Sequence, residues 1–427
     1  MSRGYRRPLA SLLSVVVLLW VGVPLTWAQL GNVTNTITVL GCATCGGYYK
    51  DGSKWLFARN VWQLKVFENR IFLGTGSMDP DNAGPVYPVA WSPSQAKMIV
   101  WSPALPDEEI THYVPLNVTG AGPTLFITGT DPTEVQDDNP VNHWVRGNYY
   151  VFKSESLISG GPGSWWSVKR VIPGGIHTYD MINISTTKLL VTGSFGIDTY
   201  GKERSFVQVA CDGTNFTDLT CDGGPCNTPT IHDIGVAFFW LGGELYVNSR
   251  QGLWQYAGSQ AACPPGASEN LLKLSTGIDD SLLPGIWKRM FRITPYSTGI
   301  VYIENYSRRF MDGPGLGPRT VKYAATINGA TTVALPVVGT VPHDLLVIGS
   351  TLYLLHVVDE GSQVYKNIVS KTTDLGANWT EVLYFYTLIP SGGIARSFTY
   401  YNNNLYFGIG TYYNADPILM SNAAGRL

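Results

Sequence analysis

Hydrophobic positions along this chain come in short runs rich in β-branched and aromatic residues. Gly, Asn, Asp, Pro and Ser punctuate them, with little of the Lys- and Glu-laced pattern of helices. The clearest stretch, His343–Phe385, predicts four strands: Leu345–Ile348, Leu352–Leu355, Tyr365–Lys371 and Trp379–Tyr386. The first two meet at Gly349-Ser350-Thr351, a tight Gly-containing link that signals a hairpin. The second run of this unit recurs as Arg70–Gly74, Thr124–Gly129, Lys188–Gly193, Glu244–Val247, Gly299–Ile303, Thr351–Leu355 and Asn404–Gly408. Those seven copies lie roughly 50–65 residues apart, the interval of a radial repeat.

A closed all-β ring follows as the expectation: one β-propeller of seven four-stranded blades, or six if one copy is spurious. The seventh unit offers only Phe398–Tyr401, Asn404–Gly408 and Ile418–Ser421. The N-terminal run Thr36–Leu40 is free to supply its fourth strand and close the ring, which removes an exposed sheet edge.

Between the third and fourth strands of the clearest unit lies Thr372-Thr373-Asp374-Leu375-Gly376-Ala377-Asn378-Trp379. Thr372, Asp374, Gly376 and Trp379 stand at spacings of two, two and three. This pattern resembles the Asp box of sialidase-type propellers, a folding device in which the Asp accepts backbone N–H groups and the Gly takes a positive φ. The resemblance implies the repeat architecture across the mature chain. It also implies an alternative activity, glycoside hydrolysis with an arginine clamp on a substrate carboxylate, a Tyr nucleophile with its Glu, and an Asp acid/base. Phe291-Arg292-Ile293-Thr294-Pro295 is similar to the Phe-Arg-Ile-Pro motif that carries one such arginine, with Thr294 standing where the motif has Pro, and makes Arg292 the one catalytic candidate.

The start of the chain changes the picture of compartment. A basic opening, an apolar run and Leu25-Thr26-Trp27-Ala28 predict a secretory leader over residues 1–28, leaving one domain over 29–427. No later segment is apolar enough to span a membrane once the leader is removed. Six cysteines in a secreted chain favour disulfides, drawn as Cys211 with Cys221, Cys226 with Cys263, and Cys42 with Cys45. Zinc is the alternative for Cys42 and Cys45. Sequons at Asn32, Asn117, Asn183, Asn215, Asn305 and Asn378 mark possible N-glycosylation if the host performs it. A formal net charge of −2 without like-charge blocks argues against nucleic acid as partner.

Candidate chemistry sits in the loops. His112, His177, His232 and His343 fall where a first strand begins, with Asp180, Asp233 and Asp344 close by and Arg292 and Arg396 at the matching places elsewhere. Imidazoles in a ring bind a metal or an anion; more often, a residue that recurs with a repeat fixes the packing of neighbouring blades. Tyr306 and Arg308 add to the channel face, and Asp131, Asp137 and Asp138 could hold Ca²⁺ through oxygen. The expected function is a secreted, non-enzymatic module that binds a glycan or an extracellular protein. No cofactor beyond Ca²⁺ is expected, and the sialidase-like hydrolase is the alternative.

Overall fold

The computed structural model describes residues 17–22, 30–42, 60–76, 87–100, 107–118, 122–132, 146–153, 166–173, 175–185, 188–197, 203–210, 216–222, 224–225, 237–249, 252–260, 269–274, 289–305, 319–362, 364–387 and 393–410. Its described residues form strands and turns and no helix. Among the described residues no helix is therefore long and apolar enough to cross a membrane.

Each expected repeat contributes an antiparallel hairpin: Asn60–Phe67 with Arg70–Gly76, Asp107–Val118 with Gly122–Pro132, Gly175–Asn183 with Leu189–Ile197, Ala237–Leu241 with Glu244–Ser249, Arg289–Tyr296 with Gly299–Asn305, Val341–Ile348 with Thr351–Asp359, and Ile394–Tyr401 with Asn404–Gly410. These are numbered as repeats one to seven below. Local chemistry fixes several of the turns. Glu68-Asn69 and Asn402-Asn403 both take φ between 46° and 61°, the paired left-handed conformation that matches the twist of a two-residue hairpin.

The blade count needs correction. Hydrogen bonding gathers the strands into five sheets rather than seven separate ones. The largest holds twelve strands because repeats one, two and three are stitched together by single backbone pairs, Gly76 with Glu109 and Thr130 with His177. The sheets nevertheless form a propeller. Apolar clusters fill each seam in turn: Phe72 and Ala90 against Tyr113 and Ile127, then Phe126 against Met181 and Val191, then Val207 and Leu219 against Phe238 and Trp254. The series continues with Phe239 against Met290 and Tyr302, Val301 and Val333 against Leu345 and Leu354, and Leu383 and Phe385 against Phe398 and Phe407. Tyr406 of repeat seven packs on Val61, Leu73 and Trp91 of repeat one and closes the ring. Burial of these faces is what holds neighbouring sheets together.

Closure at the N-terminus also differs from expectation. Asn404–Gly410 pairs with Val17–Gly22, a strand inside the stretch expected to be a leader, and Thr38–Cys42 joins the sheet on the far side of that strand. The N-terminal run thus reaches the last sheet as expected, but one strand further out. Ile418–Ser421 lies outside the described residues. Between these strands, Gly31–Asn32 runs parallel to the edge of Thr380–Tyr386, and Val33 and Ile37 drop into the seam between repeats six and seven.

Candidate functional site

The first strands of all seven repeats surround a cavity of about 490 Å³, lined from Gln63–Val66 of repeat one round to Phe398–Tyr400 of repeat seven. Apart from the single pairs of Glu109 with Gly76 and His177 with Thr130, these innermost strands have one edge without a sheet neighbour among the described residues, so their backbone N–H groups need other partners. The chain answers with a repeated local irregularity. Six of the seven first strands shift register at the same place: between Val61 and Gln63, Ile110 and His112, Thr178 and Asp180, Phe291 and Thr294, Pro342 and Asp344, and Ala395 and Ser397. A bulge bends the strand and re-aims the side chain beside it.

The residue just past the shift reaches the next repeat. Gln63 Oε1 accepts from Tyr113 N at 2.6 Å, Asp180 Oδ2 from Phe238 N at 2.9 Å, and Asp344 Oδ2 from Phe398 N at 2.9 Å. Ser397 Oγ donates to Val61 O at 2.8 Å across the closure. Each carboxylate also accepts the N–H that follows it, Met181 at 2.8 Å and Leu345 at 2.9 Å. Burial dominates their acidity all the same. Asp180 is pushed up to about 7, against the pull of Phe238 N–H, Met181 N–H and Lys65. Asp344 is raised by burial against the pull of Arg292 and its two N–H donors.

Arg292 is a strut. It sits in the bulge of repeat five at φ 56°, a left-handed conformation rarely adopted by a long side chain. One terminal nitrogen donates to Trp62 O of repeat one, and Nε lies 3.2 Å from Asp344 Oδ1 of repeat six. The sequence candidate therefore does face the channel, with its guanidinium tied to protein groups. Arg396, buried in the bulge of repeat seven, stacks at 5.3 Å on the Trp62 ring. Among the described residues a Tyr–Glu contact lies off the cavity lining: Tyr256 donates to buried Glu269, which also pairs with Lys188, at the seam of repeats three and four.

The histidines separate. His112 lines the cavity, bonds to the Tyr179 backbone, and is driven down to about 3 by burial, then by Arg292 and Lys65. His343 occupies the bulge itself, buried, with Nδ1 3.4 Å from Arg319 Nη1; burial and then the three guanidiniums of Arg319, Arg396 and Arg292 hold it far below an ordinary imidazole. His177 pairs through its backbone with Ser194, and its side chain is outside the described residues, as is all of His232, Tyr306, Arg308, Asp137 and Asp138. Asp131 belongs to the strand Gly122–Pro132. No group of three or more His, Cys, Asp or Glu among the described residues is arranged to hold a metal. Cys221 is disulfide-bonded; Cys45, Cys211, Cys226 and Cys263 lie outside the described residues, and Cys42 ends the strand Thr38–Cys42. Sequence reasoning missed Gln63 and Lys65 in the channel wall; the signal for Gln63 was its place beside Asp180 and Asp344 in the repeat.

The turn at Thr372–Trp379 has the self-bonded geometry its residues suggest. Thr372 Oγ1 accepts Asp374 N at 3.2 Å and Gly376 N at 3.1 Å, and donates to Asp374 Oδ1 at 2.6 Å. Asn378 N and Nδ2 donate to the Asp374 carboxylate at 2.9 and 2.7 Å. Trp379 reaches across to repeat five, donating to Ala334 O at 2.7 Å.

No family model matches this chain, and no curated protein does. Among solved structures it is similar to an ancestral GH74 enzyme, at 10% identity over 85% of this chain, with a TM-score of 0.49. The chain spans 50% of that enzyme's length. It is also similar to a proposed glycoside hydrolase from Bacteroides ovatus, at 12% identity over 71% of this chain and 97% of the other, TM-score 0.29. A protein of unknown function from Dyadobacter fermentans matches at 10% identity over 81% and 86%, TM-score 0.35. Likeness at this level assigns no activity to the chain.

Proposed function

We propose that this protein is a secreted, non-enzymatic propeller that binds a glycan in the channel cavity. The observation that carries this reading is the engagement of the channel's catalytic-type groups. Asp180 and Asp344 each tie a repeat to the next and Arg292 ties repeat five to repeats one and six, which supports a rigid site suited to binding. Its volume of about 490 Å³ lies within the ~300–1,000 Å³ of small-molecule sites. Phe238, Phe291 and Tyr400 share the wall with Thr294 and Thr399. Such a mixture suits a sugar ring, with its apolar faces and hydroxylated rim. The test is a glycan array on the purified protein, with and without EDTA, read beside turnover of fluorogenic glycosides. Binding without turnover supports the reading, and loss of binding in EDTA would bring in Ca²⁺ at Asp131, Asp137 and Asp138. Silence on the array would move the ligand to an extracellular protein.

One observation favours a second reading, glycoside hydrolysis. Asp180 holds its proton up to about 7 in a cavity wall, where a general acid belongs. Turnover that Asp180→Asn abolishes, with the fold intact by circular dichroism, would establish it.

A further inference from the structure

Resting on the binding reading above, we propose that the channel takes a neutral sugar and that Nδ1 of His112 accepts a hydrogen bond from one of its hydroxyls. The place of His112 in the repeat and the bonds of its ring lead there.

His112 follows the register shift of repeat two, as Gln63, Asp180 and Asp344 follow those of repeats one, three and six, and all four line the cavity. At this position one polar atom goes to the next repeat. Gln63 Oε1 accepts Tyr113 N at 2.6 Å, Asp180 Oδ2 accepts Phe238 N at 2.9 Å, and Asp344 Oδ2 accepts Phe398 N at 2.9 Å. His112 likewise bonds to the Tyr179 backbone of repeat three. That contact raises the affinity of the ring for a proton, so the ring donates and the Tyr179 carbonyl accepts.

The second polar atom sets His112 apart. In Asp180 and Asp344 it is Oδ1, which accepts Met181 N at 2.8 Å and Leu345 N at 2.9 Å. In His112 it is Nδ1, which is buried and has no hydrogen-bond partner among the described residues. The nitrogen that donates to Tyr179 is therefore Nε2, and this tautomer leaves Nδ1 a bare lone pair. Burial first, then Arg292 and Lys65, keep the ring from taking a second proton, so Nδ1 remains an acceptor. A buried acceptor without a donor is unfavourable, and here it belongs to a residue of the cavity wall.

The chemistry of that atom selects the ligand. A metal ion needs more than one imidazole, and no group of three or more His, Cys, Asp or Glu among the described residues is arranged to hold one. An ammonium would meet the positive charges of Arg292 and Lys65, which already oppose a proton on this ring. An oxyanion brings only further lone pairs to Nδ1. A neutral hydroxyl supplies the missing proton.

The experiment uses the full chain and three neutral disaccharides, cellobiose, maltose and lactose, measured by calorimetry. The tightest binder is then replaced by its monodeoxyfluoro congeners, in which fluorine removes one hydroxyl donor at a time. One congener should bind about three- to tenfold more weakly than its parent. His112→Gln keeps an amide N–H to meet the Tyr179 carbonyl but places no acceptor where Nδ1 stood. It should bind the parent sugar about three- to tenfold more weakly and no longer distinguish that congener from it. A variant weakened only in its packing would lose affinity for every congener alike and keep the distinction. In the unsubstituted protein, the ¹⁵N resonance of His112 Nδ1 should move upfield when the sugar binds, while remaining that of an unprotonated nitrogen. Congeners that all bind like the parent, a distinction that survives His112→Gln, or an unmoved Nδ1 resonance overturns the inference and leaves glycan binding standing. Absence of binding by all three disaccharides overturns both.

Discussion

Lys188 is 1% exposed and carries a full side-chain charge into the seam between repeats three and four. Its ammonium meets Glu269 Oε1 and donates to Ser259 O at 2.7 Å, and the Tyr256 hydroxyl donates to Glu269 Oε2 and lies 3.3 Å from Ser259 O. Replacing Lys188 by Met keeps most of the packed stem and removes only the charge. Glu269, 5% exposed, is then a buried carboxylate held by one phenol. Breaking a buried pair from one side costs about 3–5 kcal/mol, because the remaining charge is uncompensated. Removing both charges is different: Lys188→Met with Glu269→Leu should lie within about 1–2 kcal/mol of the parent, since the desolvation penalty disappears with the attraction. Tyr256 keeps Ser259 O as its acceptor in that double variant. The measurement is a double-mutant cycle from equilibrium urea unfolding, with hydrogen exchange at Asn270–Lys273 as the local readout. A single variant that shifts stability by less than about 0.5 kcal/mol, or a cycle with no coupling, would refute the buried-pair reasoning.

Four further outcomes follow from the same geometry. Arg292→Met should destabilise the ring by about 2–4 kcal/mol, seen as a lower urea midpoint, since it removes the guanidinium beside buried Asp344 and the donor to the Trp62 carbonyl; an unchanged midpoint would return Arg292 to the role of a free clamp. His356 is buried between Thr340 Oγ1 at 2.7 Å and Ser370 Oγ at 2.9 Å and is held down to about 3 by burial, so the unfolded chain takes up a proton that the native one refuses; this contribution to stability is complete above about pH 6.5 and falls away towards pH 3, and a His356 ring titrating near pH 6 by NMR would contradict it. Gly376→Ala should cost about 1–2 kcal/mol by thermal melt, because φ is 84° and the new methyl would lie 2.6 Å from Val333 Cγ1; no loss would mean the turn is not constrained there. N-terminal sequencing of exported protein should begin at Gln29, which removes Val17–Gly22 from the last sheet; a chain that retains Val17 would show the strand to be part of the mature fold.

Much of the ring was legible because its hairpins are announced locally. Turn residues such as Gly349 and Asn402-Asn403 sit between apolar runs, so the second strand of every repeat fell where its pattern placed it. Three features were not legible, each for a physical reason. The run Val17–Gly22 is apolar throughout, and a secretory core and a strand paired on both edges read alike. The fusion of three repeats into one sheet rests on single backbone pairs such as Gly76 with Glu109, which no side-chain pattern encodes. The register shifts of the first strands are set by neighbours: Asp180 and Asp344 could be seen to recur, but not that His343 occupies a bulge while His112 lies just past one.

Those shifts also decide how a polar channel should be read. An innermost strand has a largely bare edge, and an Asp or Gln that answers the next repeat's N–H satisfies a donor that the sheet leaves open. Gln63, Asp180 and Asp344 meet that need, and Ser397 does the same from the donor side, so polarity in this channel is first a matter of closure. Arg292 extends the logic across the axis from repeat five to repeats one and six. Lys65 belongs to the same wall: in Gln63-Leu64-Lys65-Val66 it reads as the solvent face of an alternating strand, yet that strand lines the channel cavity.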